Sequence, residues 1–291
     1  MKGNARTFGA ITISNALPAG IGCAAGIELP VDAEVTLTFD GSKEPPKIDV
    51  PRECRSPVVE ESLRVGLSSY HPTPGTVAHV SLRSEIPVAR GLKSSSAVST
   101  AVVLALARAS GEQPSPLEVG RKAAEVGRRV GVSATGALDD ALAGLEPGFI
   151  VTDNRRDEVL RRTEVDPDWG VVLYIPPRRH IPSPGLARAF VRERPSGEQA
   201  ARAAMDGDWA KAMRINTELV ERAMGYPYRE LRDRLRERGA IASGVSGFGP
   251  ALAAIAPVAR LSDIVEALPD DDAEKRLVSF SHSRATGGEP P

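Results

Sequence analysis

After Pro87 the chain changes its hydrophobic repeat, and this change limits its architecture more than any other feature. Upstream, Ala10–Ile13, Gly26–Leu29, Ala33–Phe39 and Val77–Ser84 are β-branched or alternating runs separated by Gly, Pro and Asp, the pattern of strands and turns. Gly41–Pro57 reads as an exposed loop or hairpin tip, and Glu60–Leu67 as a helix because Val59, Leu63 and Leu67 share one face. Downstream, Ser94–Ala109 reads as a helix ending at Gly111, and Ser115-Pro116 opens another that runs to about Val130. A short helix at about Ala137–Leu145 precedes strands at Phe149–Thr152 and Gly170–Ile175. Ala187–Arg238 is largely helical, with breaks near Pro195 and Pro227. Strands Ile241–Ser243 and Leu252–Ala256 bracket a glycine-rich turn, followed by a helix at Leu261–Leu268, a strand at Lys275–Ser281 and a frayed tail at Thr286–Pro291. Strands and helices mixed without strict alternation predict an α+β fold rather than a doubly wound parallel sheet. The expected boundary near Asp166–Trp169 divides residues 1–166 from 167–291.

Charge and composition remove several classes of function. The 291 residues carry 37 Lys and Arg against 38 Asp and Glu, so the chain lacks the basic excess of a nucleic-acid binder. Thirty of the basic residues are Arg, a bias that reads as base-composition habit. The longest clean apolar run, Ala101–Ala107, falls far short of the ~20 residues that span a bilayer. With no apolar stretch in the opening residues, the expected location is the cytoplasm, with no membrane partner. Cys23 and Cys54 are too few for a disulfide scaffold or zinc cage, and His71, His79, His180 and His282 lack ligand spacing.

Three segments carry chemistry. In Pro87–Ala97, small residues precede a strongly apolar helix whose N-terminal amides favour an anion such as phosphate. Lys93 adds a positive charge, and a Ser hydroxyl there can reach a phosphate-bound Mg²⁺. A Ser-capped buried helix after a turn is the plainer alternative. The loop is not a Walker A motif, because Leu92 and Pro87 stand where that motif needs Gly. In Ser243–Pro250, Gly244, Gly247 and Gly249 exceed what a simple hairpin needs, which suggests close approach to a ligand or to the first loop; a plain connector remains open. In Ser133–Ala141, Asp139 and Asp140 are either complements to a helix dipole or include a general base for a hydroxyl nucleophile.

Together, Pro87 through Gly91-Leu92 to Ser94-Ser95-Ser96-Ala97, then Thr135-Gly136-Ala137-Leu138-Asp139-Asp140, then Ser243-Gly244 through Ser246-Gly247 to Gly249-Pro250, resemble the signatures of the GHMP small-molecule kinases in order and spacing. Lys93 in place of a glycine, Thr152-Asp153-Asn154 after a strand, and the opening Gly9–Ala16 resemble the archaeal-type shikimate kinase branch. Ala10 departs from relatives that carry Lys or Arg after the first signature glycine. The resemblance implies a ribosomal-protein-S5-domain-2-like N-terminal domain, a ferredoxin-like C-terminal domain, and transfer of phosphate from ATP to shikimate with Mg²⁺. A homodimer is compatible with it.

The resemblance further implies residue roles. Pro87, Val88, Ala89, Arg90, Gly91, Leu92, Lys93, Ser94, Ser95, Ser96 and Ala97, with Gly247 and Gly249, would cradle ATP. Asp139 would be the base, with Asp140 as runner-up, and Lys93 would offset charge on the transferring group. Ser95 matches a Mg²⁺-contacting Ser, and Glu125 is the candidate second ligand or else a solvated helix charge. Asn15, Asp139, Asp140, Asp153, Asn154 and Ser246 are the candidate acceptor contacts, with Arg155 and Arg178 as candidate forks for its carboxylate. Homoserine kinase, or a ligand sensor without turnover, are the alternatives.

Overall fold

The computed structural model describes residues 1–70, 72–179 and 185–282, so His71, His180 and the tail expected at Thr286–Pro291 lie outside the described residues. The first part of the chain runs β1 (Lys2–Ser14), α1 (Ala16–Ala19), β2 (Ile21–Phe39), β3 (Lys47–Asp49), α2 (Pro57–Ser69), β4 (Thr76–Ser84), α3 (Ser94–Ala109), α4 (Pro116–Val130), α5 (Leu138–Ala143), β5 (Phe149–Asp153) and β6 (Glu158–Thr163). The second runs β7 (Trp169–Ile175), α6 (Leu186–Arg192), α7 (Arg194–Asp206), α8 (Trp209–Met224), α9 (Arg229–Glu237), β8 (Ala242–Val245), β9 (Leu252–Pro257), α10 (Leu261–Glu266) and β10 (Glu274–Ser279).

The long strand β2 organises the first sheet. One of its edges pairs with β1, and its other edge is shared by β5 over Ile21–Ala25 and by β4 over Val31–Phe39. The two strands expected at Gly26–Leu29 and Ala33–Phe39 are therefore one. Pro30 does not break it, because Pro30 lies between the stretches paired with β5 and β4, beside a register shift against β1, where no ladder N–H is required. Strand β6 has no counterpart among the expected elements. Its Glu158–Thr163 sequence is largely polar and exposed, as suits an edge strand.

Helix α3 crosses β1 and β2, flanked by α2 and α4. Every residue from Ala101 to Ala107 is buried, which accounts for a run with no polar face. Its neighbour α4 starts with a capping box between Ser115 and Glu118, as the Ser-Pro signal predicts. The second sheet has the order β10-β7-β9-β8, all antiparallel, in a βαββαβ chain path that is ferredoxin-like. Both of its faces are buried. Val171, Leu173, Ile175, Ala253 and Ile255 join the core of the first sheet, while Val172, Tyr174, Leu252 and Ala254 pack against α6, α8 and α9. Trp209 of α8 stacks on Phe149 and meets Trp169, so the two tryptophans are packing groups at the junction. No helix among the described residues is long and apolar enough to cross a membrane.

Candidate active site

The loop before α3 reaches its helix through three left-handed residues: Ala89 (φ 59°), Gly91 (φ 87°) and Lys93 (φ 66°). Lys93 stands at the N-cap, and no side chain caps α3. The first-turn amides of Ser94, Ser95 and Ser96 have no intrahelical acceptor, so the helix start offers donors to an anion. The left-handed position explains why a glycine suits this step. Holding a non-glycine residue there costs about 1–2 kcal/mol, and the cost is offset only by something the side chain does. Its ammonium forms an ion pair with Asp140 Oδ1 at 3.2 Å.

The two glycine-rich loops are joined. Ser246 Oγ donates to Gly91 O at 2.8 Å and accepts from Thr12 N at 3.1 Å. Gly247 N donates to Thr12 Oγ1 at 2.8 Å, and Ala251 N to Arg90 O at 3.1 Å. A Cβ on Gly91 would sit 2.0 Å from Ser246 O, so the backbones touch only because residue 91 has no side chain. Close approach to the first loop, one of the two readings of the Ser243–Pro250 turn, is what the structure shows.

Opposite Lys93, α5 brings Asp139 and Asp140 into the interior, 3% and 8% exposed. Asn154 Nδ2 donates to Asp139 Oδ1 at 2.8 Å. The amide's orientation is fixed by Thr152 Oγ1, which donates to Asn154 Oδ1 at 2.6 Å. Burial, followed by repulsion from Asp140, pushes the Asp139 carboxyl well above the ordinary range, while Lys93 and the Asn154 hydrogen bond oppose the shift. Asp140 is raised by burial too, with Lys93 opposing. A buried carboxylate held above its usual range beside a lysine is the arrangement of a general base working near neutrality.

The remaining candidates divide by what they touch. Asn15 is buried, and Nδ2 donates to Gly247 O at 3.0 Å and to Asn216 Oδ1 at 3.3 Å; Ser246 is fully buried with its hydroxyl committed to the loops. Both tie the two loops and β1 together. Asp153 Oδ1 accepts from the backbone N of Arg155 and Arg156, so it shapes a turn. Glu125 is not brought to the carboxylate cluster: it is about two-fifths exposed and pairs with Arg129 at 2.5 Å, which is the solvated-charge alternative. Arg178 stands over the Tyr226 ring, 4.7 Å from its centroid. Val88 is exposed, Pro87 and Ala89 are half-buried, and Leu92 and Ala97 are buried behind the loop. Arg90 donates through Nη2 to Pro177 O.

Two residues that matter here were not singled out from sequence. Gly22 of β2 faces Asp139, and a Cβ there would lie 2.4 Å from Asp139 Oδ2. Thr12 of β1 holds the second loop. Gly20, Gly22 and Gly26 standing close together are a visible signal for the first, and Thr12 lies inside the Gly9–Ala16 stretch with nothing else to set it apart. Beside the cluster lies a groove of about 380 Å³ whose walls include Gly20, Arg128, Thr135, Asn154 and Arg155.

The chain is similar to known proteins in sequence and fold. Residues 59–146 match the family described as GHMP kinases N terminal domain, and residues 200–275 match GHMP kinases C terminal. A shikimate kinase of Thermococcus kodakarensis is 38% identical over 250 residues, covering 84% of this chain and 89% of that protein. One of Methanosarcina acetivorans is 33% identical over 281 residues, covering 96% and 94%. The solved structure of Lactococcus lactis galactokinase complexed with galactose superposes with a TM-score of 0.72 at 15% identity, covering 98% of this chain and 95% of that one, a likeness of fold.

Proposed function

The chain belongs to the GHMP kinases, and on that premise we propose how its residues carry a phosphoryl group from ATP to shikimate. The activity follows from similarity to shikimate kinases over most of the chain. The observation that supports this chemistry here is the Asp139–Asn154–Thr152 relay set opposite an uncapped helix start bearing Lys93.

In this reading the amides of Ser94–Ser96 and the loop backbone from Ala89 to Lys93 receive the ATP phosphates, and the Ser243–Pro250 turn holds Gly91 in place. The hydroxyls of Ser94, Ser95 and Ser96 have no hydrogen-bond partner among the described residues, and Ser95, which matches the family's Mg²⁺-contacting Ser, would hold a phosphate-bound Mg²⁺. That ion would neutralise charge on the phosphates. Asp139 accepts the proton of the attacking hydroxyl as its oxygen bonds to the γ-phosphorus and the bond to ADP breaks. Asp140 and Lys93 set the field around Asp139, and Lys93 faces charge that develops on the transferring group. Cytoplasmic ATP would supply the reaction.

The reading is tested by ADP release from Mg-ATP with shikimate, homoserine, mevalonate, pantoate, galactose or no acceptor. Release dependent on shikimate alone is the expected result. Release dependent on homoserine would keep the phosphate chemistry and move the acceptor, and ATP binding without release would leave a sensor.

Lys93 supplies a second expectation. Its ammonium lowers the Asp139 carboxyl, so Lys93→Met should raise it further. The acidic limb of kcat against pH should move to higher pH, with kcat down by about 10²-fold near neutrality and less at alkaline pH. A uniform loss at every pH would show that Lys93 does not act through Asp139.

A further inference from the structure

We propose that Arg155 reads the carboxylate of the acceptor, so that consecutive residues of one turn position the base and anchor the substrate. This rests on the acceptor reading above. The turn leaves β5 with its backbone fixed: Asp153 Oδ1 accepts from Arg155 N at 2.9 Å, and Asn154 N donates to Gly20 O at 2.9 Å. Asn154 then holds Asp139, and the next side chain, Arg155, lines the groove beside it.

The guanidinium groups around this groove are not equivalent. Arg128 is committed twice, with Nη1 and Nη2 on the Asp157 carboxylate and Nη1 also on Thr135 O. Arg178, the other candidate fork, is not in the lining of this groove and stands over the Tyr226 ring. Arg155 is exposed, and its guanidinium has no hydrogen-bond or ion-pair partner among the described residues. An unpaired surface arginine is ordinary. This one, however, lies against Gly20, where a Cβ would come within 2.5 Å of its Nε. The missing side chain therefore makes a seat for the guanidinium in the wall of the groove, with its donor edge open.

A planar fork of donors seated in a groove fits a planar carboxylate. Shikimate carries its carboxyl group and its 3-hydroxyl on ring carbons separated by one carbon. An anchor for the first and a base for the second must then stand about one small ring apart. Asn154, which positions the base, and Arg155, which would be the anchor, are neighbours in sequence, so one turn with a fixed backbone carries both.

The test compares parent, Arg155→Gln and Arg155→Lys protein with shikimate and with its methyl ester, which keeps the hydroxyls and lacks the charge. Arg155→Gln should raise KM for shikimate by about 10- to 100-fold and leave KM for ATP near the parent value. Arg155→Lys should recover part of the loss, since charge remains without the fork. The parent should discriminate against the ester, and Arg155→Gln should lose most of that discrimination. Parent turnover of shikimate with an unchanged KM in Arg155→Gln, or discrimination that survives the substitution, overturns the proposal alone. No parent turnover of shikimate overturns the acceptor reading and the proposal with it.

Discussion

Asp139→Asn should lower kcat by about 10²–10⁴-fold while raising the melting temperature. The substitution keeps the size of the side chain and an oxygen that can accept from Asn154 Nδ2. It removes the proton acceptor and one negative charge. In the parent two buried carboxylates face one ammonium, and the variant leaves Asp140 and Lys93 as a balanced pair. The sign of the stability change follows from linkage. The folded-state pKa of Asp139 is raised above its unfolded value, so its favourable contribution is full below the unfolded pKa and is lost as pH rises through the folded pKa. Near neutrality the parent carries the cost of an ionised buried carboxylate, and Asn does not. Each kcal/mol relieved should add about 2–4 °C. The stability gap between variant and parent should close as pH falls toward the unfolded carboxylate range. ATP binding should persist, because the phosphate loop is separate from the relay. A variant that melts earlier than the parent at neutral pH would show that the Asp139 charge stabilises the fold. Retained turnover would move the base to Asp140.

Gly91→Ala should damage nucleotide use and stability together. Residue 91 has φ 87°, and a Cβ would meet the Ser246 carbonyl oxygen at 2.0 Å, a backbone atom that cannot turn aside. The left-handed strain costs about 1–2 kcal/mol, and parting the loops would also lose the Ser246 Oγ hydrogen bond to Gly91 O, worth about 1 kcal/mol. The expected result is a melting temperature lower by about 4 °C or more and a KM for ATP at least about tenfold higher. Gly111→Ala separates the two causes. Gly111 has φ 82° with nothing within 4 Å of the added Cβ, so it carries the strain without the clash. It should lose some stability and leave KM for ATP at the parent value. Equal effects at both positions would mean that loop contact plays no part in holding the phosphate site.

How much of this was visible in sequence depends on the kind of signal each residue carries. Helices α3 and α4 were legible to within a residue or so because period and capping agree at both. Strand β2 was read as two pieces, since Pro30 is a local breaker and its neutral position between two edge partners exists only in the folded sheet. Strand β6 was missed because an exposed edge strand has little apolar alternation to display. Asp139 is marked by its motif, and the structure buries it in α5. Its support from Asn154 came from residues marked as acceptor contacts, and the role of Gly22 depends on a contact across more than a hundred residues. Asn15 and Ser246, marked as acceptor contacts, bond to the two loops in the structure, since polarity in a sequence does not show which way a side chain is committed.

The most direct test of phosphoryl transfer to shikimate through Asp139 is phosphorus NMR of ATP and shikimate incubated with parent and Asp139→Asn protein side by side. The parent should convert the γ-phosphate signal into one new phosphomonoester resonance coupled to the ring proton at C3, with ADP in equal amount, and the variant should leave ATP intact. Inorganic phosphate without a monoester, a monoester at another position, or the same product from the variant would contradict it.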